Sequence, residues 1–213
     1  MSNSPENTLL AEVESYYAEK LRNFGQTAQG VDWNGEQSQY VRFEQLMKIV
    51  AGDVSDFSLI DLGCGYGALL DFLDQRYRTA TYIGVDVSKD MIHAAQTRYQ
   101  SSANARFVVG SCPDTTADYA VASGVFNVRL ERTDPEWFDY ILHTLDTLDR
   151  SSRQGFAFNC LTSYSDADKK RDYLYYADPC RLFDVCKRRY SRHVALLHDY
   201  GLYEFTVLVR KMP

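Results

Sequence analysis

One heptapeptide constrains this chain more than any other stretch: Asp61-Leu62-Gly63-Cys64-Gly65-Tyr66-Gly67. It continues FSLIDL at 57–62, a short apolar run with strand character, and opens ALLDFLDQRY at 68–77, whose apolar residues recur at helical spacing. Glycines at alternate positions let the backbone turn tightly and bring main-chain amides close to a ligand at a helix start. Strand, glycine turn and helix in that order are the opening of a parallel βαβ unit, and the rest of the chain keeps the same rhythm.

TYIGVDV at 81–87 is a second strand, and Ser88 caps a helix carrying Met91, Ile92, Ala95 and Tyr99. RFVVG at 106–110 and DYAVASGV at 118–125 are the next two strands. Thr133-x-x-Glu136 with Pro135 reads as a capping box for a helix burying Phe138, Ile141, Leu142, Leu145 and Leu148. GFAFNCLT at 155–162 is a fifth strand, followed by a long polar and aromatic connection over 163–178. Asp178-Pro179 starts another helix, with Leu182, Phe183 and Cys186 inward. HVALLHDY and LYEFTVLVRK, separated by Gly201, form a closing antiparallel pair. The expected fold is therefore α/β, a doubly wound and mostly parallel sheet, with ligands beyond the carboxyl ends of the strands. FVV and HVALL are apolar almost throughout, as interior strands covered on both faces are.

Two helices precede the first strand. Leu9, Val13, Tyr16, Tyr17, Leu21 and Phe24 mark one that ends at Gly25; Tyr40, Phe43, Met47 and Val50 mark another over 36–50. Between them a glycine-punctuated loop, 25–35, carries Trp33. These elements give a division into a helical cap, 1–55, and a core, 56–213.

The 213 residues suit one domain with an appendage, and 23 basic against 29 acidic residues leave a net charge of −6. That balance repels nucleic acid, and the basic runs 169–171 and 187–189 read as solvated faces. Five cysteines with no C-x-x-C pair make neither a disulfide framework nor a zinc module, so no metal is expected and reduced thiols point to the cytoplasm. The amino terminus lacks the pattern of a secretory signal, and no apolar run reaches the ~18 residues that a membrane span requires. The 16 tyrosines favour wet boundaries and pocket walls.

Asp86 closes the second strand a little over twenty residues after the turn, where a carboxylate accepts ribose hydroxyls. Gly63-x-Gly65-x-x-Ala68 also satisfies the loose dinucleotide fingerprint, and Asp61 decides between the ligands. A pyrophosphate brought to this turn would be opposed by the Asp61 carboxylate, by several kcal/mol as an upper bound at low dielectric. A ligand with an ammonium group and no phosphate would be welcomed there instead.

IDLGCGYG, then GVDVS and DYAVASGV, resembles the class I S-adenosylmethionine-dependent methyltransferases over residues 57 to about 210. The resemblance implies a seven-stranded sheet with an antiparallel last strand and S-adenosylmethionine as cofactor. It implies that Asp61, Gly63 and Gly65 hold the methionine end, with Cys64 near the cofactor. Asp86 would bind the ribose, Val87 and Met91 would pack against adenine, and Ser111 and Cys112 would lie at its edge. Many members carry an acid where Ser111 stands, so a hydroxyl or a backbone group would serve here. Ser123 and Gly124 would line the cleft near the transferred methyl, and Arg42 would reach the methionine carboxylate.

Methyl transfer from a sulfonium is an in-line displacement in which the protein aligns a nucleophile and excludes water. His198, after the sixth strand, is the candidate for a base or for orienting the acceptor; His143 reads as solvated, and His93, in the helix after Asp86, offers little. Tyr17 and Trp33, with Tyr16, are lid aromatics, and Tyr164 and Asn159 flank the end of the fifth strand as substrate contacts. No Asn/Asp-Pro-Pro-Tyr/Phe element follows the fourth strand, where the chain reads Ser123-Gly124-Val125-Phe126. A small-molecule acceptor is therefore expected, handled by a monomer or homodimer. The rival readings are an NAD(P)-dependent oxidoreductase and a protein that binds S-adenosylmethionine without turnover.

Overall fold

A computed structural model describes residues 5–31, 33, 35–50, 56–77 and 81–211. Its strands are β1 (Ser58–Leu62), β2 (Thr81–Asp86), β3 (Ala105–Val109), β4 (Ala117–Ala122), β5 (Ser152–Leu161), β6 (His193–Leu197) and β7 (Glu204–Arg210). They form one seven-stranded sheet in the order β3-β2-β1-β4-β5-β7-β6. The first five strands run parallel, and β7 is inserted antiparallel between β5 and β6. This is the doubly wound sheet with a reversed closing pair that the alternation of apolar runs predicts.

The helices are α1 (Pro5–Phe24), α2 (Glu36–Met47), α3 (Ala68–Arg76), α4 (Lys89–Arg98), α5 (Asp134–Ser151) and α6 (Pro179–Arg189). Side chains alternate across each strand, so the sheet feeds two cores. Leu59, Tyr82, Phe107, Tyr119 and Val121 pack with Phe43, Leu46, Leu69, Phe72, Leu73 and Ile92 of α2, α3 and α4. Ile60, Val85, Ala120, Phe156 and Phe158 pack on the other face with Trp137, Ile141, Leu145 and Leu148 of α5 and Leu182 and Cys186 of α6. The capping box is present, with the Glu136 carboxylate accepting from both the Thr133 amide (3.0 Å) and hydroxyl (2.6 Å).

Two expectations change. FVV and HVALL lie in β3 and β6, the two edges of the sheet rather than its interior. Each edge strand has a helix packed beside it, α4 at β3 and α6 at β6, which half-covers its apolar residues, although Val109 of β3 stays 45% exposed. The amino-terminal segment also divides. α2 is a layer of the core, whereas α1 lies at the carboxyl-end side of the sheet, tied by Glu12 to Arg132 at 2.6 Å and by Tyr16 to the Tyr173 ring. The expected boundary at 55/56 falls beside residues 51–55, which lie outside the described residues.

Two connections shape the carboxyl-end side of the sheet. β3 and β4 are joined by residues 110–116 without a helix, although a parallel crossover usually takes a dozen or more residues. The long 163–178 connection is pinned by bridges Thr162↔Ala177 and Val128↔Leu174, and the Tyr175 amide donates to Asn127 O at 2.8 Å. Leu145, fully buried under α5, should cost about 2–5 kcal/mol when cut to Ala. His143 is exposed on the same helix, and its change to Ala should stay within about 0.5 kcal/mol. Urea unfolding of the two variants checks the contrast.

Candidate functional site

β1 lies between β2 and β4, so the chain leaves β1 toward one side of the sheet and later returns to the other. A crevice opens beyond the carboxyl ends at such a switch point. Here it is a cleft of roughly 1430 Å³ of empty space, counting its open mouth, lined by the glycine turn, the ends of β2 and β4, and α1.

The turn is built by the strand beside it. Gly63 and Cys64 amides donate to Val85 O at 2.7 and 3.1 Å, which curls the chain off β1 toward β2. Gly65 then takes φ +55°, a left-handed conformation, and its N–H donates to Asp86 Oδ2 at 2.8 Å. A Cβ on Gly65 would press to 3.1 Å from Val31 Cγ1. Asp86 Oδ1 accepts from the Ser88 amide at 2.8 Å, and Ser88 Oγ accepts from the Met91 amide, the cap of α4. Asp86 thus holds the glycine turn with one oxygen and the start of the next helix with the other. Burial raises its pKa, opposed by the two backbone donors.

Asp61 is buried next to it. Gly84 stands opposite Asp61 in the parallel register, and a Cβ there would fall 2.7 Å from Phe107 Cδ1 and 2.8 Å from Cys64 Sγ. Tyr82, two residues earlier on the same face of β2, fills the approach and donates its hydroxyl to Asp61 Oδ2 at 2.6 Å. Oδ1 has no hydrogen-bond partner among the described residues. Burial pushes the Asp61 carboxyl up to about 7; the Tyr82 bond works against this, and the charge of Asp86 adds to it. Ser123 Oγ, at the end of β4, is likewise buried without a partner among the described residues.

Leu10, Val13 and Tyr17 of α1 and Val31 and Trp33 of the following loop face the same cleft. Tyr16 braces Tyr17 edge-on, with ring centroids 5.3 Å apart. Trp33 packs on Gly124, which has φ +75°; a Cβ there would fall 2.4 Å from Trp33 Cζ2. Tyr140, His143, Thr144 and Thr147 of α5 complete the wall. They are reached because no helix fills the β3–β4 connection.

The cleft thus brings together Asp61, Gly63, Cys64, Gly65, Asp86, Val87, Met91, Ser111, Cys112, Ser123, Tyr17 and Trp33. Three other candidates stand elsewhere. Arg42 is buried in the core side of α2, where Glu204 takes its guanidinium in a two-point pair, so it is committed to a carboxylate of the protein itself. His198 follows the edge strand β6 and packs between Tyr164 and Phe205. Three strand spacings, about 14 Å, separate β6 from β4, which removes His198 from the cleft. Tyr164 shares that far edge and is 69% exposed. Sequence reasoning missed Tyr82, Tyr140 and Glu204. Tyr82 was legible in principle, as a tyrosine two residues before the glycine that faces an acid. Among the described residues, no group of three His, Cys, Asp or Glu is placed to hold a metal ion.

Residues 59–148 match a family described as "Methyltransferase domain". A Mycobacterium tuberculosis relative named "Putative methyltransferase Rv1506c" is 64% identical over 155 residues, 73% of this chain and 93% of the relative. The fatty-acid O-methyltransferase of Mycolicibacterium smegmatis is 31% identical over 90 residues, covering 42% of this chain and 32% of that protein. Among solved structures, magnesium protoporphyrin IX methyltransferase of Synechocystis PCC 6803, with bound SAH, superposes with TM-score 0.66 at 13% identity, over 97% of this chain and 100% of that one. Human N-acetylserotonin methyltransferase, in complex with SAM, gives 0.66 at 16%, over 98% of this chain and 60% of its own. At such identities the superpositions speak to the fold. The chain belongs to the S-adenosylmethionine-dependent methyltransferase family, class I.

Asp61 carries a stability signature of its own. The native state keeps its proton up to about pH 7, whereas the unfolded chain loses it near 3.8. Between those values the native state binds more protons, so this group makes stability fall as pH rises. Asp61→Asn should therefore remove this pH dependence, so that its stability relative to the unaltered protein improves as pH rises from about 4 to 7, offset by the cost of a buried amide without a partner. Urea unfolding of both proteins across pH 5–8 measures the slope.

Proposed function

We propose that this cleft binds S-adenosylmethionine and delivers its methyl group to a small-molecule acceptor. The observation that carries the reading is the open oxygen of Asp61, buried at the glycine turn beside a second carboxylate. A positively charged amino group satisfies that oxygen and restores the ionised carboxylate. A pyrophosphate would instead bring two further negative charges that hold Asp61 protonated and oppose the Asp86 carboxylate, which argues against a nicotinamide dinucleotide.

The residues present fit the donor. Asp61 and the backbone of Gly63 and Gly65 hold its amino-acid end, and Asp86 offers its remaining lone pairs to the ribose hydroxyls. Val87 and Met91 flank the adenine, with Ser111 and Cys112 at its edge. When bound, S-adenosylmethionine supplies a methyl group already activated on a sulfonium. The chain's own part is alignment and exclusion of water. Tyr17 and Trp33 roof the cleft, and Ser123 Oγ offers a hydrogen bond at the end of β4. The same roof supports a small acceptor, because α1 and the loop to Trp33 lie where a macromolecule would have to enter.

No helix among the described residues is long and apolar enough to cross a membrane. The thiols Cys64, Cys112, Cys160, Cys180 and Cys186 are all unpaired, which supports a reducing, cytoplasmic setting.

Replacing Asp86 by Asn removes a charged acceptor while keeping its shape. S-adenosylmethionine affinity should fall by about 1.5–3 kcal/mol, roughly 10- to 150-fold, in calorimetry. The decisive experiment incubates the protein with methyl-labelled S-adenosylmethionine and fractionated metabolite pools, then identifies labelled products by mass. A labelled small molecule is the expected result. Tight donor binding with no labelled product in any pool would replace this reading with a non-catalytic binder, and preference for NAD(P) in parallel titrations would replace it with an oxidoreductase.

A further inference from the structure

Arg42 and Glu204 are both buried, although neither lines the cleft. Arg42 Nε donates to Glu204 Oε2 at 2.8 Å and Nη2 donates to Oε1 at 2.7 Å. The same Oε2 accepts from Asn159 Nδ2 at 3.1 Å, and Asn159 Oδ1 accepts from the Gly124 amide at 2.7 Å. The guanidinium carbon meanwhile stands 3.8 Å from the centroid of the Trp33 ring. Trp33 is the side chain that packs on Gly124. One ion pair therefore reaches both halves of the same contact, the indole through the guanidinium face and the glycine through Asn159.

Arg42 Nη1 has no hydrogen-bond partner among the described residues, so the pair is not fully satisfied. A buried ion pair is weak evidence for stability, since apolar residues often serve a core as well. A planar guanidinium can hold a carboxylate at two points and stack on an aromatic ring at once, which the point charge of a lysine cannot do. We propose that Arg42 and Glu204 are positioning residues that press Trp33 onto Gly124 and thereby set the wall of the cleft at the end of β4. The proposal rests on the S-adenosylmethionine reading only for its ligand measurement.

The test uses Arg42→Met/Glu204→Gln, Trp33→Ala and the three changes combined. Replacing the pair together leaves no lone buried charge, and the amide oxygen introduced by Glu204→Gln still accepts from Asn159. Arg42→Lys, which keeps a positive charge beside Glu204 and loses the stack, serves as a second variant should the double one fail to fold. The first readout needs no ligand: acrylamide quenching of Trp33 fluorescence, separated from Trp137 by subtracting a Trp33→Phe protein. The Trp33 quenching constant should rise at least threefold in the double variant and in Arg42→Lys. The second readout is the dissociation constant of S-adenosylhomocysteine by calorimetry. It should weaken about tenfold in the double variant and in Trp33→Ala, with the combined protein within twofold of Trp33→Ala, because contacts acting through one another do not add. Unchanged quenching in a folded variant, or losses that multiply in the combined protein, would overturn the proposal. Absence of S-adenosylhomocysteine binding by the unaltered protein would overturn the donor reading instead, leaving the quenching result to judge Arg42.

Discussion

Two carboxylates share one low-dielectric corner at the ends of β1 and β2, and the architecture of the cleft follows from how each is held. Asp86 is first of all a strut. Its two oxygens accept the amides of Gly65 and Ser88, fixing the glycine turn and the first turn of α4 against each other. Asp61 is held at one oxygen only, by a phenol that itself has to be buried to reach it. Desolvation raises the cost of ionising both groups. That cost comes from the apolar packing on their face of the sheet, which includes Leu59, Cys64, Tyr82 and Phe107. Storing such a penalty at a binding site is a familiar exchange, in which a ligand of the right charge relieves what the empty protein endures.

The roof has a different origin. Its apolar side chains come from α1 and the loop before α2, elements that contribute no strand, while its rigidity comes from the opposite end of the chain. Glu204 at the start of β7 grips Arg42, and Arg42 lies against Trp33. The wall along α5 exists for a third reason: residues 110–116 pass from β3 to β4 without a helix, exposing Tyr140, His143 and Thr147 to the cleft.

Sequence alone reveals the parts of this molecule that depend on local chemistry. The acid-glycine turn, the Ser88 cap, the Thr133–Glu136 box and the reversed closing pair are all readable, since each is set by residues a few positions apart. Contacts made by distant residues are not. Arg42 reads as a partner for the methionine carboxylate, because its helix neighbours say nothing of Glu204, 162 positions away. His198 sits at a strand end on the ligand side, and only the insertion of β7 between β5 and β6 removes it from the cleft. FVV and HVALL read as interior strands because their composition is apolar, although at the edges of the sheet they are only partly covered. Tyr82 is the intermediate case, recoverable once β1 and β2 are aligned in register.

The place of β7 has a consequence for how the protein comes into being. The glycine turn and both carboxylates belong to the first half of the chain and can assemble as soon as β1, β2 and β4 have met. Arg42 must wait for a partner on a strand synthesised much later, one that enters between two neighbours rather than at an edge. A nascent chain on the ribosome would therefore carry a lone cation beneath its unfinished roof until β7 is threaded.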